Sequence, residues 1–340
     1  MAQTAPPKPH KTYAELASLL AERGMVVGDV ERAQRKLSQV GYYRLSGYWY
    51  PCRMPHQDEQ GNQVAGPAGT PLRTNQFQAN TAFGDVFALY LADKRLRLLL
   101  LDAIERIEVH LRSVVAHEVG YHDPMAYELE RFIMPKARSD YRGRDGLVRN
   151  QWREWSDRQH KQLTRSREDC ILWHRNSGKA IPFWVAVEAW DFGLLSKYYE
   201  MLLGSYRQRI SSRFGVANSM VLKDWLQQLN TLRNRCAHHA RVWNQSSSNV
   251  LADLPHDYFR ALSLSEHARG RLLGLIAVLW FLIKQIGPNS RWLDQVSDLI
   301  DAWPLPPGCD RYAMGIDHEL TAFPRALFAA ADAVVMPPQA

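Results

Sequence analysis

Apolar residues recur at three- and four-residue steps along most of this chain, the spacing that gathers them on one face of a helix. The longest such stretch runs from Phe83 to Val119. Val86, Leu89, Tyr90, Leu96, Leu100, Ile104, Ile107, Leu111 and Val114 keep the period, and Gly120 closes it. At about 1.5 Å per residue this is a rod of more than about 50 Å, which normally packs against other long helices. The opening TYAELASLLAERG places Thr12 three residues before Glu15, a capping-box spacing, and stops at Gly24. A second short helix starts at Asp29 and ends near Gly41. GYYRLSGYWYP follows, aromatic-rich with two glycines, and reads as a strand or a tightly packed turn. Pro182–Leu203 reads as one amphipathic helix interrupted at Gly193. Ser219 caps a helix that runs through 233–244, and Ser265 caps the apolar run that ends before Gly287 and Pro288. Short helices near Arg291–Ala302 and His318–Val334 finish the chain. No segment alternates long enough to argue a sheet, so the class is all-α.

Polar, Gly/Pro-rich sequence over His56–Pro71 reads as a loop. The segments suggest an N-terminal helical module with its aromatic segment over 1–75, a helical core over 76–290 and a C-terminal helical extension over 291–340. The apolar run Leu272–Ile283 falls well short of the roughly 20 residues needed to span a bilayer, and reads as a buried core helix. The N-terminus, MAQTAPPKPHK, has no apolar core of the signal-peptide kind.

Charge adds a partner class. The net charge is +7 with a pI near 9.2, which fits a polyanion such as nucleic acid. Between Arg131 and Arg167 stand eleven Lys/Arg against four Asp/Glu. That stretch, with Arg149, Arg153, Arg158 and Arg165, is either an RNA-contacting surface or a solvated helix face with a loop. Cys52, Cys170, Cys236 and Cys309 form no CxxC pair, which argues against a disulfide framework or a zinc knuckle and for a reducing cytoplasm.

The densest chemistry is RNRCAHHARVWN, Arg233 to Asn244. A metal site is disfavoured: adjacent histidines on a helix point about 100° apart, and three arginines would repel a cation. Asn234 and His238 are i and i+4 neighbours, so the amide can orient the imidazole. On a continuous helix Arg233 and Arg241, eight apart, share nearly one face. A histidine exchanging a proton near neutral pH beside phosphate-binding guanidiniums is what RNA strand cleavage requires. Arg233 and His238 are five residues apart, however, about 140° around a helix. They converge only through a break in the helix, long side chains wrapping into a groove, or a second copy of the chain across a two-fold axis.

Arg233-Asn234-x-x-x-His238 matches the R-x(4–6)-H signature of HEPN domains, helical domains that include metal-independent RNases. The longer RNRCAHHARVWN resembles the form carried by the Abi-like (abortive infection, AbiD/AbiF-type) family. LLAERGMVVGDVERAQRKLSQVGYYRLSGYWYP, FALYLADKRLRLLLLDAIERIEVHLRS and PFWVAVEAWDFGLLSKYY extend that resemblance over most of Lys11 to about Ile286. It implies a HEPN-type helical bundle acting as an antiphage toxin, a metal-independent endoribonuclease without cofactor. It further implies a homodimer, with a small non-coding RNA as antitoxin in some relatives. Carried over, Arg233 and His238 are the catalytic pair and Asn234 the polar residue after the arginine. His239 and Arg241 support them, and Glu105 or Glu108 faces the site from the long helix, each otherwise a solvated or salt-bridged glutamate. The competing reading is a non-catalytic RNA-binding or dimerisation module. Tyr42, Tyr43, Tyr48, Trp49 and Tyr50 either stack on unpaired bases or pack the core, the core being favoured.

Overall fold

In the computed structural model, which describes residues 8–66, 71–247, 249–251 and 256–335, the chain is 61% helical with two small sheets. The long helix forms as its periodicity requires, Phe83–Gly120 without interruption. Helices on several sides bury its apolar stripe: the motif helix Ser219–Ala237, the apolar helix Leu272–Ile286, and the helices Gly204–Arg213 and Trp292–Asp301. Leu272 to Ile283 are all buried, as expected of a helix apolar on every side. Buried side chains from Ala17 to Ala331 form one continuous core.

The first helix, Tyr13–Glu22, has the full capping box: Thr12 Oγ1 accepts from Glu15 N–H at 3.2 Å, and Glu15 accepts from Thr12 N–H at 2.6 Å. Asp29 caps the second, Val30–Val40. GYYRLSGYWYP is neither strand nor turn. Gly41, at φ 90°, turns the chain into a helix, Tyr42–Trp49. Burying Leu45, Tyr48 and Trp49 against the long helix outweighs the β-leaning of its aromatics. Two antiparallel hairpins complete the secondary structure, Arg53–Pro55 with Arg73–Phe77 and Asp140–Arg142 with Val148–Asn150.

Several boundaries differ from the sequence reading. Pro182–Leu203 breaks at Trp190 and Asp191, not Gly193, because the Asp191 carboxylate caps Leu194 N–H at 2.7 Å and starts the helix Phe192–Met201. Asn218 rather than Ser219 caps the motif helix. Ser265 caps only a short helix, Glu266–Arg269, and the apolar helix begins separately at Leu272. The last helix starts at Arg325, just after Pro324, instead of near His318. Part of the expected 56–71 loop, residues 67–70, lies outside the described residues. Cys52 and Cys309, 257 positions apart, are free and buried with their sulfurs 3.8 Å apart. Among the described residues no helix is long and apolar enough to cross a membrane.

Candidate functional site

The motif helix ends inside the motif. His238 is its C-cap, and the backbone reverses at His239, which adopts the left-handed conformation at φ 58°. His239 N–H donates to Cys236 O at 3.1 Å and Ala240 N–H to Arg235 O at 2.8 Å. This paired 5→2 and 6→1 closure is a Schellman ending, a position usually given to glycine. Ala240 to Trp243 then leave the helix and run back toward the long helix.

One carboxylate anchors that return. Asp93, fully buried on the long helix, accepts from Val242 N–H at 3.2 Å, Trp243 N–H at 3.0 Å and the Tyr48 hydroxyl at 2.7 Å, and forms an ion pair with Arg97. Burial pushes its pKa up, against those hydrogen bonds and the Arg97 charge. Arg97 also donates to Ala240 O at 3.4 Å, and Arg44 donates to His239 O at 2.7 Å. Val242 and Trp243 are buried.

Arg241 does not share a face with Arg233, because the helix has ended before it. Its guanidinium lies against Gly47, where an added Cβ would stand 2.9 Å from Nη1. Burial lowers its pKa, and its Nε is buried without a hydrogen-bond partner. Arg241 thus braces the returning chain against helix Tyr42–Trp49.

The first half of the motif is built differently. Asn234 and His238 are exposed on one side of the helix end, and the His238 N–H donates to Asn234 O at 2.9 Å. Among the described residues the His238 ring makes no hydrogen bond, with Asn234 or with either glutamate. Arg233 is half-buried on another side, near Glu108, whose pKa its charge helps hold down against the upward push of burial. Glu108 itself is paired with Arg112 at 2.6 Å, and Arg112 also donates to Trp190 O at 2.8 Å. Glu108 is therefore Arg233's neighbour, and Glu105 is exposed without an ion pair among the described residues. Asp191, beside this cluster, is held below the usual carboxylate range: burial alone would raise it, but bonds from Leu194 N–H, Arg158 and Gln162 outweigh that.

Cys236 is buried, with burial pushing its thiol up to about 12, while His238 and His239 are exposed; the three do not converge as metal ligands do. No group of three or more His, Cys, Asp or Glu among the described residues stands together to hold a metal ion.

The segment that contains this arrangement, residues 35–244, matches the family model described as Abi-like protein, over more than half of the chain. The chain belongs to the Abi-like protein family. Family membership points to abortive infection as the biological setting. No curated protein and no solved structure matches the chain. The Abi-like match takes in the long helix with Asp93 and Glu108, the Asp191 cap and the motif, and ends at Asn244, as the motif does.

Of the four arginines read as either RNA contacts or a solvated face in the basic stretch, three stand in ion pairs. Arg149 pairs with Asp145 at 2.5 Å, Arg153 with Asp140 at 3.7 Å and Arg158 with Asp191 at 2.6 Å; Arg165 is exposed. Trp152 and Trp155 of the same stretch are core residues. The sequence reading missed Asp93, Arg97 and Arg112. A signal for the first two existed: Asp93 and Arg97 are i,i+4 polar residues set among Leu89, Leu96 and Leu100, on the stripe the periodicity assigns to the core.

Proposed function

We propose that this Abi-like protein is a metal-independent endoribonuclease of the HEPN type, serving as an antiphage toxin. The observation that carries the reading is the contrast inside the motif: the His238 ring is left exposed with no hydrogen-bond commitment while the chain just beyond it is tied down at every step. His238 acts as the general base, removing the proton of a ribose 2′-hydroxyl as that oxygen attacks the adjacent phosphorus, or as the acid protonating the 5′-oxygen that leaves. The Arg233 guanidinium stabilises the negative charge that builds on the phosphate oxygens. The bond broken is P–O5′, so the products carry a 2′,3′-cyclic phosphate and a 5′-hydroxyl.

Arg233 and His238 face different ways around the helix end, which favours a site completed by a second copy of the chain. An exposed apolar stripe on the long helix supports such pairing. Leu91, Leu98 and Val109, seven and eleven residues apart, are 39%, 58% and 55% exposed, with Glu105 among them. A small RNA acting as antitoxin fits the same reading.

The test is RNA cleavage in EDTA by the purified chain beside His238→Ala, with end-group analysis. Wild type should cleave and leave cyclic phosphate, and the variant should lose about 10²–10⁴-fold. Retained cleavage in His238→Ala sinks the assignment of that residue. Mixing Arg233→Ala with His238→Ala should restore part of the activity if each site draws on two copies. RNA bound tightly but never cut, even after removal of co-purified RNA, would instead favour a binding or dimerisation module.

A further inference from the structure

Cations without an ion pair among the described residues also gather outside the basic stretch. They line a groove of about 840 Å³ between the first helix, helix Tyr42–Trp49 and the Arg53–Phe77 hairpin. Lys8, Lys11, Arg23 and Arg53 contribute to its walls, and no carboxylate does. None of the four is in an ion pair among the described residues, whereas Arg149 and Arg158 of the basic stretch are.

Aromatic rings share the groove with these charges. Tyr13, Tyr42 and Tyr43 line the groove, and Tyr43 is 75% exposed with its edge toward Tyr42 at a centroid distance of 5.6 Å. Arg23 donates to the Tyr42 hydroxyl at 3.1 Å, and the Arg53 guanidinium sits over the Tyr50 and Phe77 rings, so both cations are held in place before anything binds. The aromatics of GYYRLSGYWYP divide accordingly: Tyr48 and Trp49 pack the core, and Tyr42 and Tyr43 face the groove. The helix that carries Tyr43 also sends Arg44 to the His239 carbonyl, which ties that helix to the end of the motif helix.

We propose that this groove binds single-stranded RNA, stacking an unpaired base on Tyr43 and pairing its backbone phosphates with Lys8, Lys11, Arg23 and Arg53, as the extended substrate track of the RNase assigned above. Rings and unpaired cations in one groove suit an unstructured strand, because each base offers a face and each linkage a charge. A duplex hides its base faces, and an acidic peptide uses the cations but not the rings. The inference rests on the RNase reading for its choice of RNA, but binding is separable from cleavage.

The experiment measures affinity of the full-length His238→Ala chain, in EDTA, for a labelled oligouridylate of about 12 nucleotides, within the usual footprint of such grooves. Tyr43→Ala should weaken binding by about tenfold and Tyr43→Phe should not. Lys8→Ala with Lys11→Ala should lower the slope of log K against log salt by about 1.4, at about 0.7 per lost phosphate contact. Arg149→Ala with Arg158→Ala should change neither. Unchanged affinity in Tyr43→Ala, equal binding of a duplex of the same length, or equal competition by polyglutamate would each overturn the proposal. Because the protein tested cannot cleave by His238, failure of the RNase reading leaves this result standing. Wild-type cleavage alongside indifferent Tyr43 variants would remove the groove alone.

Discussion

The twelve residues from Arg233 to Asn244 divide at His239 into two halves that obey opposite rules. Up to His238 the backbone is helical and bonded to itself, and its polar side chains are left to solvent or to a neighbouring glutamate, except Arg235, which donates to Ser246 O at 3.2 Å. Beyond His239 the backbone has no helix of its own, so its N–H groups and carbonyls must find partners, and Asp93, Arg97 and Arg44 supply them. Side chains there are buried: Val242 and Trp243 in the core, Arg241 against Gly47. A crowded polar stretch can thus hold chemistry and scaffold side by side. Composition alone does not separate them; where the backbone hydrogen bonds go does.

The sharpest way to break the comparison is Asp93→Ala. It leaves Arg97 buried without its counter-charge and strips partners from two backbone N–H groups, so stability should fall by about 3–5 kcal/mol in urea unfolding. A loss under about 1 kcal/mol would mean the returning segment is not anchored as described. Next in size is His239→Gly. Relief of the left-handed strain, less the entropy glycine adds to the unfolded chain, should stabilise the protein by about 0.5–1 kcal/mol. Cleavage should persist, and its disappearance would move the acid–base role from His238 to His239. Smaller still is the stability change in His238→Ala, expected within about 0.5 kcal/mol because the ring is exposed and unbonded.

The smallest expected effect is a slope with pH. His110 packs edge-on to Phe214 at 5.0 Å, and burial lowers its pKa; His256, against Phe281, is lowered for the same reason. In both, the fold favours the neutral ring. Their contribution is present above the ordinary value of 6.5 and is lost as pH falls below it, because the unfolded chain then binds the protons first. Thermal unfolding followed from about pH 7.5 to about pH 5.5 should show the midpoint of His110→Leu gaining on that of wild type as pH falls.

What could be read in the sequence followed physical locality. The long helix, the Thr12 cap and the buried Leu272–Ile286 helix are set by neighbours within one or two turns, and each stands close to where periodicity put it. GYYRLSGYWYP was misread because its aromatics favour strands locally, while the long helix supplies the face that makes a helix of them. A break in the helix was one option the spacing left open, but its place at His239 was illegible: the glycine that would announce it is a histidine, and the carboxylate that holds the returning chain lies some 150 positions away. The ion pairs within the basic stretch were partly local, and Arg149 with Asp145 lay within one turn's spacing. The unpaired cations at 8, 11, 23 and 53 are scattered in the chain and meet only in the fold.

The placement of Asp93 has a consequence for genetics. On the proposed RNase reading, a screen for variants that no longer protect against phage or no longer poison the cell would score Asp93 and His238 alike as inactive. Protein abundance would separate them, since loss of the buried carboxylate lowers the folded population and loss of the exposed ring does not. Ranking inactive alleles by steady-state level would sort the positions of this segment into those that act and those that hold, with the boundary at His239.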